Sequence, residues 1–216
     1  MINIVARWQR LKYFARMGEE METDMYKKQM ILQRIVCYAM LMAAALVFVY
    51  SLGIMTDMYD SKFAYYAEDI ENPMVAGTEI YYIMQDFNKS LTTAGIVLIL
   101  LAVSQFLFQN HNRRKYYIAN YITVGVNTIA VVGASVWALN NIFTYREMYL
   151  QVDFVKLAER AELMKFYWTD STFWFDISKG VFGILLAATV LNVINLIFKI
   201  VVMNAEKKLI AEGKEV

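Results

Sequence analysis

The side chains best suited to chemistry in this sequence are amides and hydroxyls that interrupt long apolar stretches. Asn120, Thr123 and Asn127 recur at spacings of three and four residues, which puts them on one face of a helix. Such groups either hydrogen-bond between neighbouring helices, for about 0.6 to 2 kcal/mol each, or line a hydrophilic path or ligand site. Both interpretations stay open. The candidates for a helix interface or a pore lining are Ser104, Gln105, Asn120, Thr123, Asn127, Asn192 and Asn195.

Catalytic and metal chemistry find little support in the same sequence. One histidine and one cysteine cannot build a zinc site, a bis-histidine haem or a cysteine redox pair within this chain. There is no glycine-rich phosphate loop, serine nucleophile elbow or His-Glu metalloprotease motif. No Asp, Glu, Lys or Arg lies deep in an apolar stretch, so a proton relay or a coupled pump has no obvious carrier. We therefore expect no catalytic residues, no cofactor and no metal, and hence no enzyme.

Four apolar stretches must position the amides. Residues 35–56, 90–112, 116–145 and 180–198 contain no Asp, Glu, Lys or Arg. Each is long enough to cross a bilayer, which takes about 20 residues in a helix. Lipid offers no hydrogen bonds to the backbone, so each of these stretches is expected to be helical.

The sequence therefore predicts an all-α fold within a single domain. It is a four-transmembrane-helix bundle with an N-terminal amphipathic interfacial helix and an extracytoplasmic helical cap formed by the two outer loops. The predicted segments, in chain order, are the N-terminal segment 1–34, the first span 35–56, the first outer loop 57–89, the second span 90–110, a turn 111–115, the third span 116–140, the second outer loop 141–178, the fourth span 179–199 and the tail 200–216.

The distribution of charge predicts which way the bundle sits. The N-terminal segment, the turn and the tail, together with Lys199 at the end of the fourth span, hold 14 of the 21 Lys and Arg, whereas the two outer loops hold 13 of the 20 Asp and Glu. Short cationic flanks stay on the cytoplasmic side of a membrane. We expect an integral protein of the plasma or cytoplasmic membrane with both termini in the cytoplasm.

Two cationic groups are candidates for lipid headgroups. Residues 2–16 hold four basic and no acidic side chains, and Ile4, Trp8 and Leu11 share one helical face. This segment either lies on the anionic inner leaflet or packs against protein. A second group in the cytoplasmic turn either binds a lipid phosphate or anchors the topology. The candidate residues are Arg7, Arg10, Lys12, Arg16, Arg113, Arg114 and Lys115.

The two outer loops are too long to be bare connections. In the second loop, large apolar residues recur at helical spacing over 146–167, which predicts an outer packing helix. Its apolar residues are Leu150, Phe154, Leu157, Met164 and Trp168. Aromatic residues crowd at 166–175, where they either form an interfacial belt or hold a lipid or quinone-like ligand. Asn88 begins a glycosylation sequon that abuts the second span.

Four spans with both ends on one side resemble tetraspanins and claudins in topology alone. The paired outer-loop cysteines on which both families depend are missing, so no family is indicated.

Two functional classes fit these patterns. The first is a non-catalytic accessory, structural or assembly subunit of a larger membrane protein complex. The second is a homo-oligomeric channel or pore whose inner half is lined by asparagines. The expected partners are a bilayer with an anionic inner leaflet and either other membrane protein subunits or copies of the same chain, with no nucleic acid.

Overall fold

A computed structural model describes the backbone of residues 2–59, 71–109, 117–165 and 167–211. Within these ranges the side chains are described from residue 25 onward, except at 26, 57–59, 117, 206–207 and 209–211.

Five helices account for almost all of the described chain. They are α1 (Ile2–Tyr59), α2 (Glu79–Gln109), α3 (Tyr117–Tyr149), α4 (Phe154–Met164) and α5 (Phe173–Ala211). Four of them contain a segment long and apolar enough to cross a membrane: Lys27–Thr56, Glu79–Gln109, Ile118–Tyr149 and Phe173–Ala205. The all-α class and the four spans are confirmed, and the architecture is that of an integral membrane protein.

The four long helices stand in a square. α1 packs against α2 and α5, and α3 packs against the same two helices from the opposite corner. Because the chain reverses direction at each connection, neighbouring helices are antiparallel. We call the end of the bundle near Gln33, Gln109 and Lys199 the terminal end, since α1 enters and α5 leaves there. The opposite end, near Tyr50, Tyr149 and α4, is the loop end.

The helices approach each other closely where side chains are small. A Cβ atom added to Gly95 in α2 would lie 3.0 Å from the Cα atom of Phe48 in α1. Small residues permit such close backbone contact, and the van der Waals packing that results is one of the forces that hold helices together in lipid. Val47, Leu98 and Leu185 are among the fully buried residues of the core that results.

The N-terminal segment differs from its prediction. The backbone is one uninterrupted helix of 58 residues from Ile2 to Tyr59, about 87 Å long at 1.5 Å per residue. The expected boundary at residue 34 is therefore absent, and the segment 1–34 continues the first span instead of forming a separate helix. The side chains of residues 1–24, and with them the predicted interfacial face, lie outside the described residues.

The second outer loop also differs from its prediction. The single helix expected over 146–167 is interrupted, because α3 ends at Tyr149 and α4 begins at Phe154. Asp153 caps the new helix by accepting a hydrogen bond from the backbone N–H of Lys156 at 3.2 Å. Lys165 ends it in the left-handed conformation, with φ of 54°. The break lets the chain turn back toward the fourth span.

The two loops touch at the loop end. The backbone N–H of Asp153 donates to the carbonyl oxygen of Ala76 at 3.1 Å. Gly77, with φ of 86°, brings the first loop so close to Val152 that an added Cβ would lie 2.7 Å from the Val152 Cα atom. Only glycine adopts this backbone conformation without strain, so the contact depends on that residue.

Candidate functional site

Three side-chain amides from three helices meet inside the bundle. Gln105 of α2 donates from Nε2 to Oδ1 of Asn192 in α5 at 2.7 Å, and Asn192 returns a bond from Nδ2 to Gln105 Oε1 at 3.1 Å. Asn127 of α3 donates to the same Gln105 oxygen at 2.6 Å. All three residues are buried. We call Gln105, Asn127 and Asn192 the amide trio; it links α2, α3 and α5 directly.

A second group of polar residues surrounds a lysine nearer the terminal end. Nζ of Lys199 in α5 donates to Oε1 of Gln33 in α1 at 3.1 Å. Asn120 of α3 fits in the amide orientation in which its oxygen accepts from Lys199 Nζ at 3.0 Å and its nitrogen donates to the Phe108 carbonyl at 3.0 Å. Lys199 is only 8% exposed. Amide oxygens from two helices thus solvate a cation that a third helix supplies.

Further bonds tie α1 to this lysine group. Gln29 donates to Oε1 of Gln33 at 3.2 Å and to Oδ1 of Asn195 at 3.3 Å. Gln33 Nε2 donates to the backbone carbonyl of Gln109, and the thiol of Cys37 donates to Oε1 of Gln109 at 2.9 Å. We call Gln29, Gln33, Asn120, Asn195 and Lys199 the lysine cage.

The chemistry of this arrangement follows from its low dielectric. A buried polar group without a partner costs about 1 to 3 kcal/mol, and a buried charge costs more. Amides both donate and accept, so a few of them can pair across four helices and can also solvate an ammonium group. The cluster fixes how far each helix slides along its neighbours, because a shift of one turn would break several bonds together.

The structure brings five of the seven predicted interface residues together. Gln105, Asn127 and Asn192 form the trio, while Asn120 and Asn195 belong to the lysine cage. Ser104 and Thr123 do not contribute. Their hydroxyls bond to carbonyls of their own helices, at 2.8 Å to Leu100 and 3.1 Å to Asn120.

Sequence reasoning missed four members of the network. Gln29 and Gln33 stand in the predicted N-terminal segment, Gln109 near the end of the predicted second span and Lys199 at the end of the predicted fourth span, and none of these positions by itself indicates a buried network. A signal was available, because Gln29, Gln33 and Cys37 recur every four residues and therefore share one helical face.

The side chains of the predicted headgroup residues lie outside what the structure describes. The side chains of Arg7, Arg10, Lys12 and Arg16 are undescribed, and residues 110–116 include Arg113, Arg114 and Lys115. Their role stays a prediction.

The apolar residues of the predicted outer packing helix differ in how deeply they are buried. Leu157 is fully buried, Phe154 and Trp168 pack against the core in part, and Leu150 and Met164 are exposed.

The aromatic residues near the fourth span also differ in burial. Phe175 is buried, with its ring centroid 5.2 Å from that of Tyr149, whereas Phe173 and Tyr167 are exposed. Asn88 is fully buried within α2, so its side chain is inaccessible to a glycosylating enzyme in the folded protein.

No family model, curated protein or solved structure matches this chain.

Proposed function

We propose that this protein is a non-catalytic accessory, structural or assembly subunit of a larger membrane protein complex. The observation that carries the proposal is an open face of small residues on α5. Gly180 and Gly183 are exposed, and a Cβ atom added at either would meet no other atom within 4 Å. Ala187, one turn further, is also exposed. Gly183 and Ala187 have the spacing at which small residues let a second helix approach closely.

A groove lies beside this face. It has a volume of about 470 Å³ and runs between α1 and α5, within the membrane-spanning part of both helices. Four of its lining residues are alanines: Ala39, Ala43, Ala187 and Ala188. The groove and the glycine face share Ala187, so together they offer a continuous surface for a helix of another subunit.

The polar network supports a structural role. In the amide trio and the lysine cage, side chains pair mainly with one another and thereby fix the register of the bundle. A rigid bundle presents its outer faces in a fixed arrangement, which is what an assembly subunit requires.

The proposal keeps the orientation predicted from charge. Both termini lie in the cytoplasm, and the terminal end faces an anionic inner leaflet. The glycine face of α5 then lies in the outer half of the membrane, and α4 lies in an extracytoplasmic cap. Partners are other membrane proteins or copies of this chain.

The geometry gives less support to a homo-oligomeric pore. Asn120, Asn127, Asn192 and Asn195 are buried inside a single bundle, whereas a pore between copies needs its polar residues on an outer face. Asn127→Leu distinguishes the two: in a pore it changes ion flux through reconstituted vesicles, and in a subunit it changes only stability.

The test is purification of the tagged full chain from its native membrane in mild detergent, without crosslinking. We expect foreign membrane subunits in stoichiometric amount. A ring of identical chains would instead support the pore, and a lone monomer would contradict both functions.

A matched pair of variants sharpens the result. Gly183→Leu adds bulk to the open face, where the added Cβ atom meets no other atom within 4 Å, and we expect it to abolish co-purification without lowering the thermal midpoint. Val97→Phe adds bulk to an exposed position on α2 and should leave the complex intact. Equal recovery of partners with both variants would overturn the role of the α5 face.

A further inference from the structure

Besides Glu79 at the start of α2, three polar residues of the bundle have buried hydrogen-bonding atoms without a partner among the described residues. Both amide atoms of Asn88 are buried and unbonded, as are Oδ1 of Asn127 and the hydroxyl oxygen of Ser135. Each of the three residues is at most 1% exposed. Asn88 belongs to α2, and Asn127 and Ser135 belong to α3, two helices that pack against each other.

Such atoms are unusual in a folded interior. Water in the unfolded state would satisfy them, and in a medium of low dielectric an unmet donor or acceptor is destabilising. The large majority of buried side-chain polar atoms have a protein or an ordered water partner. An interior position that offers several polar atoms is where buried water is found.

We propose that the bundle binds ordered water molecules along the α2–α3 side, at Asn88, Ser135 and Asn127. The chemistry of Asn88 selects this ligand. Its amide offers a donor and an acceptor at the same place, and water is the small neutral molecule that meets both. Asn127 offers an acceptor and Ser135 a hydroxyl, which water also matches.

These water sites are separate and do not form a continuous chain of hydrogen-bonded water molecules. Asn127 and Ser135 are eight residues apart on α3, which is about 12 Å along a helix. Phe87 of α2 packs between Trp137 and Tyr145 of α3, with its ring centroid 5.2 Å from each, which places the neighbouring Asn88 roughly a further 8 Å toward the loop end. Fully buried apolar residues fill the intervals on both helices: Leu91, Leu98, Val131 and Ala138. Hydrogen-bonded waters stand about 2.8 Å apart, so an apolar interval of this length interrupts them.

The experiment measures magnetisation transfer from water to side-chain amides by solid-state NMR. The full chain is labelled with 15N-asparagine and 15N-leucine and reconstituted in lipid bilayers. We expect the Asn88 amide to gain signal from water about as fast as Asn72, which is exposed and lies outside the four spans, and several times faster than the backbone amide of fully buried Leu185. Either Asn88→Ser or Asn88→Leu assigns the Asn88 signal by its loss.

Two results would overturn the inference. If the Asn88 amide gains signal as slowly as the backbone of Leu185, its site is dry. If Ser135→Ala slows transfer to Asn88, the waters are connected and the sites are not separate. With isolated sites, Ser135→Ala leaves the Asn88 transfer rate unchanged. Since neither measurement involves a partner protein, the outcome is independent of the proposed assembly function.

Discussion

The two ends of the bundle are held together by different chemistry. At the terminal end, side-chain amides and Lys199 join all four long helices through hydrogen bonds. At the loop end, aromatic rings fill the space: Tyr149 packs against Tyr81, Phe154 and Phe175, with centroids 6.3, 5.1 and 5.2 Å away. The terminal end therefore depends mainly on matched donors and acceptors, and the loop end mainly on the packing of rings, although the hydroxyl of Tyr149 also donates to the carbonyl oxygen of Thr169 at 2.6 Å.

This difference determines how each end responds to change. Removing volume from a packed aromatic cluster leaves a cavity, whose cost grows with the atoms removed. Removing one amide leaves its partners buried and unpaired, so the cost depends on how many bonds that amide made. The stability of the loop end should thus depend on the size of the side chain that is removed, and that of the terminal end on the number of hydrogen bonds that are lost.

The largest effect is expected at the loop end. Phe175→Ala should lower the free energy of unfolding by about 3 to 5 kcal/mol, because a fully buried ring is removed. Phe173→Ala, at a neighbouring exposed position, should cost less than about 1 kcal/mol. Steric trapping in bicelles measures both. Equal losses would mean that the loop end is not a packed cluster.

At the terminal end, Gln105→Leu should cost about 2 to 4 kcal/mol, since Asn127 and Asn192 both lose their partner. The adjacent Ser104→Ala removes a hydroxyl bonded only within its own helix, and we expect a change within about 0.5 kcal/mol. The same unfolding measurement applies. If Gln105→Leu lowered the free energy of unfolding only slightly, the number of hydrogen bonds would not determine the stability of this end.

Two substitutions in the lysine cage should lower the stability of the protein by different amounts. Asn120→Leu removes an acceptor and leaves the buried ammonium of Lys199 less solvated, whereas Lys199→Met removes the charge itself. Removing a group that solvates a buried ion destabilises a protein more than replacing the ion itself by an apolar group does. We expect Asn120→Leu to be the more destabilising by about 1 to 3 kcal/mol. If Lys199→Met proves the worse variant, the ammonium contributes more than its desolvation costs.

The smallest effect concerns α4 and depends on pH. The backbone N–H of Lys156 holds the pKa of Asp153 below its ordinary value of 3.8. Because the folded pKa is depressed, the cap stabilises α4 above pH 3.8 and is lost as the pH falls through the lower folded value. The protection of the Lys156 amide against hydrogen exchange, taken relative to the intrinsic exchange rate at each pH, should therefore fall at acid pH. Asp153→Asn keeps a capping side chain without the titration, and its exchange protection should not show this loss.

Residues of the site could be predicted from the sequence where their type differs from that of the residues around them. Asparagines within apolar stretches are conspicuous, so Asn120, Asn127 and Asn192 were found. Gln29 and Gln33 stand in a polar segment, where an amide attracts no attention. Only the position of α5 beside α1 shows that they are buried, because their partners are 166 residues away along the chain.

The amino-acid sequence alone determined the helical class and the four spans, since lipid forces a charge-free apolar stretch to satisfy its own backbone. It also determined which amides lie at helical spacing. Tertiary structure decided that Lys199 turns into the bundle, that the α3 helix ends before α4, and that Asn88 is enclosed. These outcomes depend on which atoms of distant segments come within about 3 Å of each other, and periodicity along one helix carries no information about its neighbour.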